Sequence, residues 1–383
     1  MSIGNSEALF NEIHSNDKAF TDIMRNNFYL ILTLFFISCP SQGLGFALPR
    51  TITSSTSKTP NNLESNKEVH SVIPRRTSGL NAVGGATTVA SIGFPKLSTI
   101  VATTLTPTLL GFYKIEYGVG YAYGAATAGT AALALRPLLS SSAPTPFTLW
   151  AQLHAAAIIF YGIRLNFFLL YREIFIGRFR KMRDKIEDKR TSERQKQNIL
   201  SKIASRTPFV LGCAFLYAGL ATPALVSAKM SDTAVVISSK KGLSLLYEIL
   251  VCGTWFGFGL GAIGDFNKSI MKALKGEDHL VTNGVYRFFR HPNYTGEVIG
   301  WTSNFLASLV SIFLSSNDCT LKVLKSLALP LMTSVFGVFG ILGVLLSATT
   351  GLEGRQKEKY GETKEYSEWI KTSWKGFALP KKD

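Results

Sequence analysis

Residues 280–301 read LVTNGVYRFFRHPNYTGEVIGW, and the class of the protein follows from them. They set Arg287, Arg290, His291, Asn293, Tyr294 and Glu297 at the mouth of an apolar helix that runs on to Leu314. A charge at the bilayer centre costs about 2.5–3.5 kcal/mol even on insertion scales, so such a cluster marks a functional site. His291-Pro292 opens the helix: proline suits the first helical position, and the residue before it is held outside helical backbone space. The free N–H groups and positive dipole end of that helix form an anion site. Arg287 and Arg290 flank it, and Lys268 can join from the end of the preceding helix. Tyr294 and Glu297 follow His291 at three-residue steps on one helical face. That face passes from cation through imidazole and phenol to carboxylate as it enters the membrane.

Six apolar segments, 117–139, 147–171, 208–230, 243–266, 296–314 and 325–349, are each near the ~20 residues that cross a bilayer. A weaker seventh, 87–110, is interrupted by Pro95, Lys96 and Pro107. The expected fold class is all-α, a polytopic integral membrane protein with 6–7 transmembrane helices and a C-terminal cofactor pocket. The loops support this. Residues 172–206 hold twelve Lys/Arg against five Asp/Glu, residues 267–290 carry Lys268, Lys272, Lys275, Arg287 and Arg290, and the tail from Arg355 to Lys375 is also basic. Two spans separate each basic segment from the next, so all three fall on one face, in the positive-inside pattern. The charged stretch 178–206 reads as a solvated helical excursion on that face, with anionic lipid contact as its functional alternative.

The formal net charge of +16 on 383 residues lies largely in these short loops. No soluble basic domain with interleaved aromatics is left to bind nucleic acid. Cys39, Cys213, Cys252 and Cys319 are too scattered for a disulfide framework or a zinc site, and the five histidines show no metal-ligand spacing.

Residues 27–38, NFYLILTLFFIS, have the length of a signal-peptide apolar region, and Met24-Arg25 makes a better secretory start than Met1. Residues 1–45 are therefore read as a signal region and 46–80 as a transit-like disordered linker. The membrane domain follows over 81–383, with the cofactor-binding part at 243–383. The sequence GFALP at 45–49, followed by an acid-free Ser/Thr-rich tract, resembles the bipartite presequences of algae with complex plastids. A plastid membrane is the expected address, with the ER membrane as the alternative.

Two acids join the cluster from elsewhere. Asp265, in GAIGDFNK (261–268), sits at the basic end of its span and can pair with Lys268 or Arg290 or meet the cluster. Glu353 follows the last span in LEGRQKEKYGETKEYSEW (352–369). There Tyr366, Trp369 and Ile370 have amphipathic spacing, so the tail can lie along the membrane face and close over the site.

GVYRFFRHPNYTGEVIGW and the Glu353-x6-Tyr360-Gly361-x4-Tyr366 pattern resemble the C-terminal signature of steroid 5α-reductase-like membrane proteins. Isoprenylcysteine carboxyl and phospholipid methyltransferases share that signature. GAIGDFNK and FYGIRLNFFLLYR (160–172) are similar to the uncharacterised steroid-reductase-related branch. The resemblance implies a nucleotide-type cofactor held between the C-terminal helices and a lipophilic substrate arriving from the bilayer. It implies cofactor binding by Asp265, Lys268, Tyr286, Arg290, His291, Asn293, Tyr294, Glu297 and Glu353. In steroid reductases the catalytic acid and tyrosine come from the N-terminal half, where Glu116 and Tyr117 are candidates here. Tyr294 and Glu297 are the candidate catalytic pair within the motif.

Three functions are left open. An NADPH-dependent oxidoreductase of lipid metabolism would reduce a C=C bond of a sterol-like, isoprenoid or acyl substrate, its phosphates drawn to guanidinium and helix N-termini. An S-adenosylmethionine-dependent methyltransferase would instead use carboxylates and aromatic faces around a sulfonium. A non-catalytic lipid- or sterol-binding membrane protein would keep the fold without turnover.

Overall fold

The computed structural model describes residues 93–140, 145–176, 199–232, 240–315 and 321–378. The signal region, the choice of Met24, the transit-like linker, Cys39 and Cys319 lie outside the described residues. So do the first residues of the 87–110 segment and most of the charged stretch 178–206.

Among the described residues the chain is helical. Its elements are α1 (Leu97–Thr108), α2 (Leu110–Tyr113), α3 (Ile115–Val119), α4 (Tyr121–Leu139), α5 (Pro146–Phe175), α6 (Ile199–Asp232), α7 (Lys241–Lys275), a 3₁₀ turn (Gly284–Arg287), α8 (Pro292–Ser315), α9 (Leu321–Tyr360) and α10 (Lys364–Thr372). Five of them, α5 to α9, contain stretches long and apolar enough to cross a membrane. These carry five of the six expected spans. The sixth, 117–139, differs: the chain breaks at Gly120 (φ −91°, ψ −81°) and re-forms as α4, 19 residues rich in Ala, Gly and Thr. That composition lowers its hydropathy but lets it pack deep in the bundle, where Ala122, Ala126 and Ala131 are fully buried. The weak seventh segment is a shorter apolar pair of helices ending at Tyr113.

Two helix starts have a local cause in the sequence. Thr145 caps α5 by accepting from Thr148 N at 3.1 Å, with Pro146 at the first position. Pro292 opens α8, as its sequence predicts. At 35 and 40 residues, α7 and α9 outrun a ~30 Å hydrocarbon core at ~1.5 Å per residue. Their C-terminal turns therefore stand outside the membrane, on the same side as the start of α8. Arg172 lies within electrostatic reach of Asp265 and Tyr294, and Arg290 pairs with Glu353, which gathers the ends of α5, α7 and α9 there. Arg172, Lys268 and Arg355, one from the described part of each basic segment, gather at that end.

The pair α7–α8 positions the site. A Cβ at Gly257 would meet Gly296 O at 2.5 Å, and one at Gly264 would lie 2.9 Å from Asn293 N. Small residues let the two backbones touch, which is how helices without a hydrophobic drive between them associate in lipid. Deeper in the bundle Tyr123, Tyr161, Tyr217, Phe258 and Trp301 form a continuous aromatic core, with Tyr161–Phe258 centroids 4.5 Å apart and Phe258–Trp301 4.8 Å. Three helices are locked by one polar knot. His154 on α5 bonds Ser227 on α6 (3.1 Å) and Asn304 on α8 (2.8 Å), and Asn304 donates back to Leu220 O at 3.0 Å.

Candidate functional site

The quoted stretch folds as a clasp. Gly284 (φ 62°) turns the chain with its open side against Asn267, which donates to Asn283 O at 2.9 Å. The 3₁₀ turn then buries Tyr286. The tail returns over it, with Trp369 Nε1 donating to Tyr286 O (2.7 Å). Arg290 N donates to Trp374 O and Trp374 N to Phe288 O, both at 2.9 Å. Leu280, Val281, Tyr286, Tyr366 and Trp369 make a small core beneath α10. The tail does close over the site, and it packs on the turn before α8.

Beneath this clasp lies a cavity of about 130 Å³ lined by Lys268, Lys272, His279, Leu280, Val281, Tyr286, Arg290, His291, Asn293, Leu352, Gln356 and Tyr360. Five of the expected cofactor residues line it: Lys268, Tyr286, Arg290, His291 and Asn293. Glu353 stands behind them, taking Arg290 Nη1 on one oxygen and His291 Nε2 on the other, each at 2.7 Å. Glu353 is thus placed to orient two binding groups, its own acceptor sites already engaged. His279 Nε2, Tyr286 Oη, Arg290 Nε and Gln356 Oε1 are buried without a hydrogen-bond partner. Burial, with Asp265 and Tyr294 nearby, pushes the Tyr286 phenol well above its ordinary value, so it stays a neutral donor.

A second tier lies further into the membrane. Asp265 pairs with Arg164 of α5 at 2.6 Å, both side chains largely buried. Its expected partners Lys268 and Arg290 are displaced because the α5 guanidinium comes within direct contact. Glu297 lies within electrostatic reach of Arg164 and Asp265, and Tyr123, Tyr161 and Tyr294 lie within reach of it. Arg164 also stacks over the Tyr161 ring, 5.3 Å from its centroid, and its Nε and Nη2 have no partner. The hydroxyls of Tyr123 and Tyr161 and the indole N–H of Trp301 are likewise buried and unbonded.

Tyr294, Glu297 and Asp265 therefore belong to this deeper tier rather than to the cavity wall. Glu116 and Tyr117 fall elsewhere: Tyr117 donates to Glu173 at 2.6 Å, and Tyr121 donates to its other oxygen at 2.8 Å. The site residues that the sequence reading missed are Tyr161, Arg164, Arg172, Lys272, His279 and Gln356. For Arg164 a signal existed, since a charge two-thirds of the way along an apolar span asks for a partner.

Three cations, two imidazoles and unbonded donors around one cavity fit a phosphate-bearing group by chemistry. Ligand pockets commonly run to about 300–1,000 Å³, so this cavity is smaller than most. No curated protein and no solved structure matches the chain. A family model does match, over residues 126–373, a stretch that contains every residue lining the cavity and most of the deeper tier and clasp. The chain belongs to that family, described as protein of unknown function (DUF1295), a steroid 5α-reductase-like membrane family.

Proposed function

We propose that this protein is a membrane-embedded NADPH-dependent reductase acting on a C=C bond of a lipophilic, sterol-like, isoprenoid or acyl substrate. One observation carries the reading: a cation-lined cavity outside the membrane lies beside an acid–phenol cluster inside it. Lys268, Lys272 and Arg290 would hold the phosphates, and Asn293 at the start of α8 would add backbone donors. Tyr286, His279 and Gln356 would hydrogen-bond the sugar and amide groups. NADPH, when bound, supplies the hydride.

The chain's own groups prepare the substrate. Tyr161 and Tyr294 keep their protons at neutral pH and can donate to a carbonyl conjugated with the double bond. Glu297, within electrostatic reach of both phenols, would supply the proton that they pass on. The Arg164–Asp265 pair keeps the floor of the site electrically balanced, and Arg164's unused N–H groups favour a substrate oxygen. Trp301, Phe258 and Tyr123 exclude water. General acid assistance of this kind contributes about 10²–10⁴ in rate.

A methyltransferase using S-adenosylmethionine is the second reading, favoured by the carboxylates and aromatic faces of the deeper tier. The presequence reading makes a plastid membrane the proposed address, with the ER membrane as the alternative.

Purified protein should be stabilised thermally by NADPH more than by NADH, and not by S-adenosylmethionine, because ligand binding raises apparent stability by mass action. Arg290→Ala should abolish the shift. Stabilisation by S-adenosylmethionine with none from NADPH would reverse the assignment. Stabilisation by a lipid alone would point to a binding protein without turnover.

A further inference from the structure

The underside of the clasp carries a second feature that the proposed chemistry does not use. Phe288, Trp374 and Phe377 are 63%, 46% and 39% exposed. Trp374 stacks edge-on with Phe377 at 5.1 Å and with the half-buried Phe289 at 5.8 Å. Phe288 joins them through the backbone, its carbonyl accepting from Trp374 N. Position accounts for this exposure. Gly376 (φ 71°) turns the tail so that its Cα sits against Thr295, in the first turn of α8. The aromatic group is therefore level with the point where α8 enters the bilayer, the depth at which aromatic belts reside. Exposed Arg287 and Lys375 adjoin Phe288 and Trp374 in the chain, exposed Lys371 lies three residues before Trp374, and no acidic residue lies between 369 and 378.

We infer that Phe288, Trp374 and Phe377 form an interfacial foot in the headgroup zone of the protein's own bilayer, and that Arg287, Lys371 and Lys375 select anionic phospholipid there. Aromatic rings supply interfacial anchoring and the cations supply the preference for negative headgroups. The contact matters to the site because the foot and the cavity share backbone. Trp374 binds both Phe288 O and Arg290 N, so lipid that seats the foot also fixes the strand that presents Arg290. This inference stands whichever cofactor the cavity takes.

The test uses the full chain in lipid nanodiscs, subtracting the fluorescence of Trp374→Phe from that of wild type to isolate Trp374. Phospholipid brominated near the top of its acyl chains should quench the isolated signal. Quenching should be about twofold stronger in discs containing phosphatidylglycerol than in phosphatidylcholine alone. The triple variant Arg287→Gln, Lys371→Gln, Lys375→Gln should lose the difference between lipids while keeping the shallow quenching. Trypsin cleavage of unaltered protein after Lys371 and Lys375 should slow in the anionic discs. A Trp374 signal reached by acrylamide but not by brominated lipid would place the foot in water, facing some other partner, and overturn the inference. Equal quenching and equal cleavage in the two lipids would overturn the headgroup selection.

Discussion

Arg164 shows how a single residue organises the deeper tier. Its guanidinium balances Asp265 at 2.6 Å, stacks on Tyr161 and keeps two N–H groups for another acceptor. Removing one partner of such a pair leaves an uncompensated buried charge, at a cost of about 3–5 kcal/mol, whereas an apolar replacement of both can be nearly neutral. Arg164→Leu should therefore lower thermal stability in detergent sharply, and adding Asp265→Leu should restore most of it. A double variant no more stable than the single one would mean that the pair is not the interaction that matters. Tyr161→Phe probes chemistry instead. Turnover should fall by about 10²-fold or more, while the NADPH-induced thermal shift is unchanged because Tyr161 is not on the cavity wall.

At the scale of elements, the spacing of α7 and α8 sets the distance between the two tiers. Gly296 touches Gly257 O and Gly261, and a Cβ there would lie 2.5 Å from Gly261 N. Gly296→Leu should push α8 away and destabilise the protein by about 1–3 kcal/mol, the usual cost of overpacking, with loss of the cofactor-induced shift. A variant of unchanged stability would show that the crossing tolerates separation. The clasp behaves differently because its outer ties are polar and exposed. Tyr360 Oη donates to Asp278 O at 3.0 Å, Lys359 pairs with Asp278, and Thr282 donates to Glu365 at 3.2 Å. Surface ties of this kind contribute about 0–1 kcal/mol each. Loosening these outer ties leaves the Tyr286–Trp369 core and the Trp374 backbone bonds to hold the clasp. Asp278→Ala should speed cofactor release measurably by stopped-flow, with little effect on the melting temperature.

For the whole molecule, the arrangement of basic ends fixes its orientation. Single cysteines introduced at residues 190, 277 and 362 of a cysteine-free background should all react with an impermeant maleimide from one side of the membrane only. Reaction of any one from the opposite side would break the span order. The same end carries the cavity, so under the proposed function a soluble cofactor and a lipid substrate would approach from different phases. The polar knot of His154, Ser227 and Asn304 holds the other half of the bundle without touching the site.

Much of this was legible in the chain. Charge in the loops and apolar length gave the helical membrane class and the shared basic face, because crossing a bilayer imposes both requirements locally. The run from Arg290 to Glu297 named the threshold of α8, since proline and a three-residue step act within one or two turns. What folding alone decided is which groups meet across helices. Asp265 found Arg164, 101 residues away in sequence, rather than Lys268 three residues on. Tyr161 stands near Glu297, whereas Tyr117, a candidate from the N-terminal half, donates to Glu173. Glu353 joins Arg290 and His291, 63 and 62 residues away in sequence. These pairings depend on helix rotation and on glycine-permitted closeness, which no local spacing encodes.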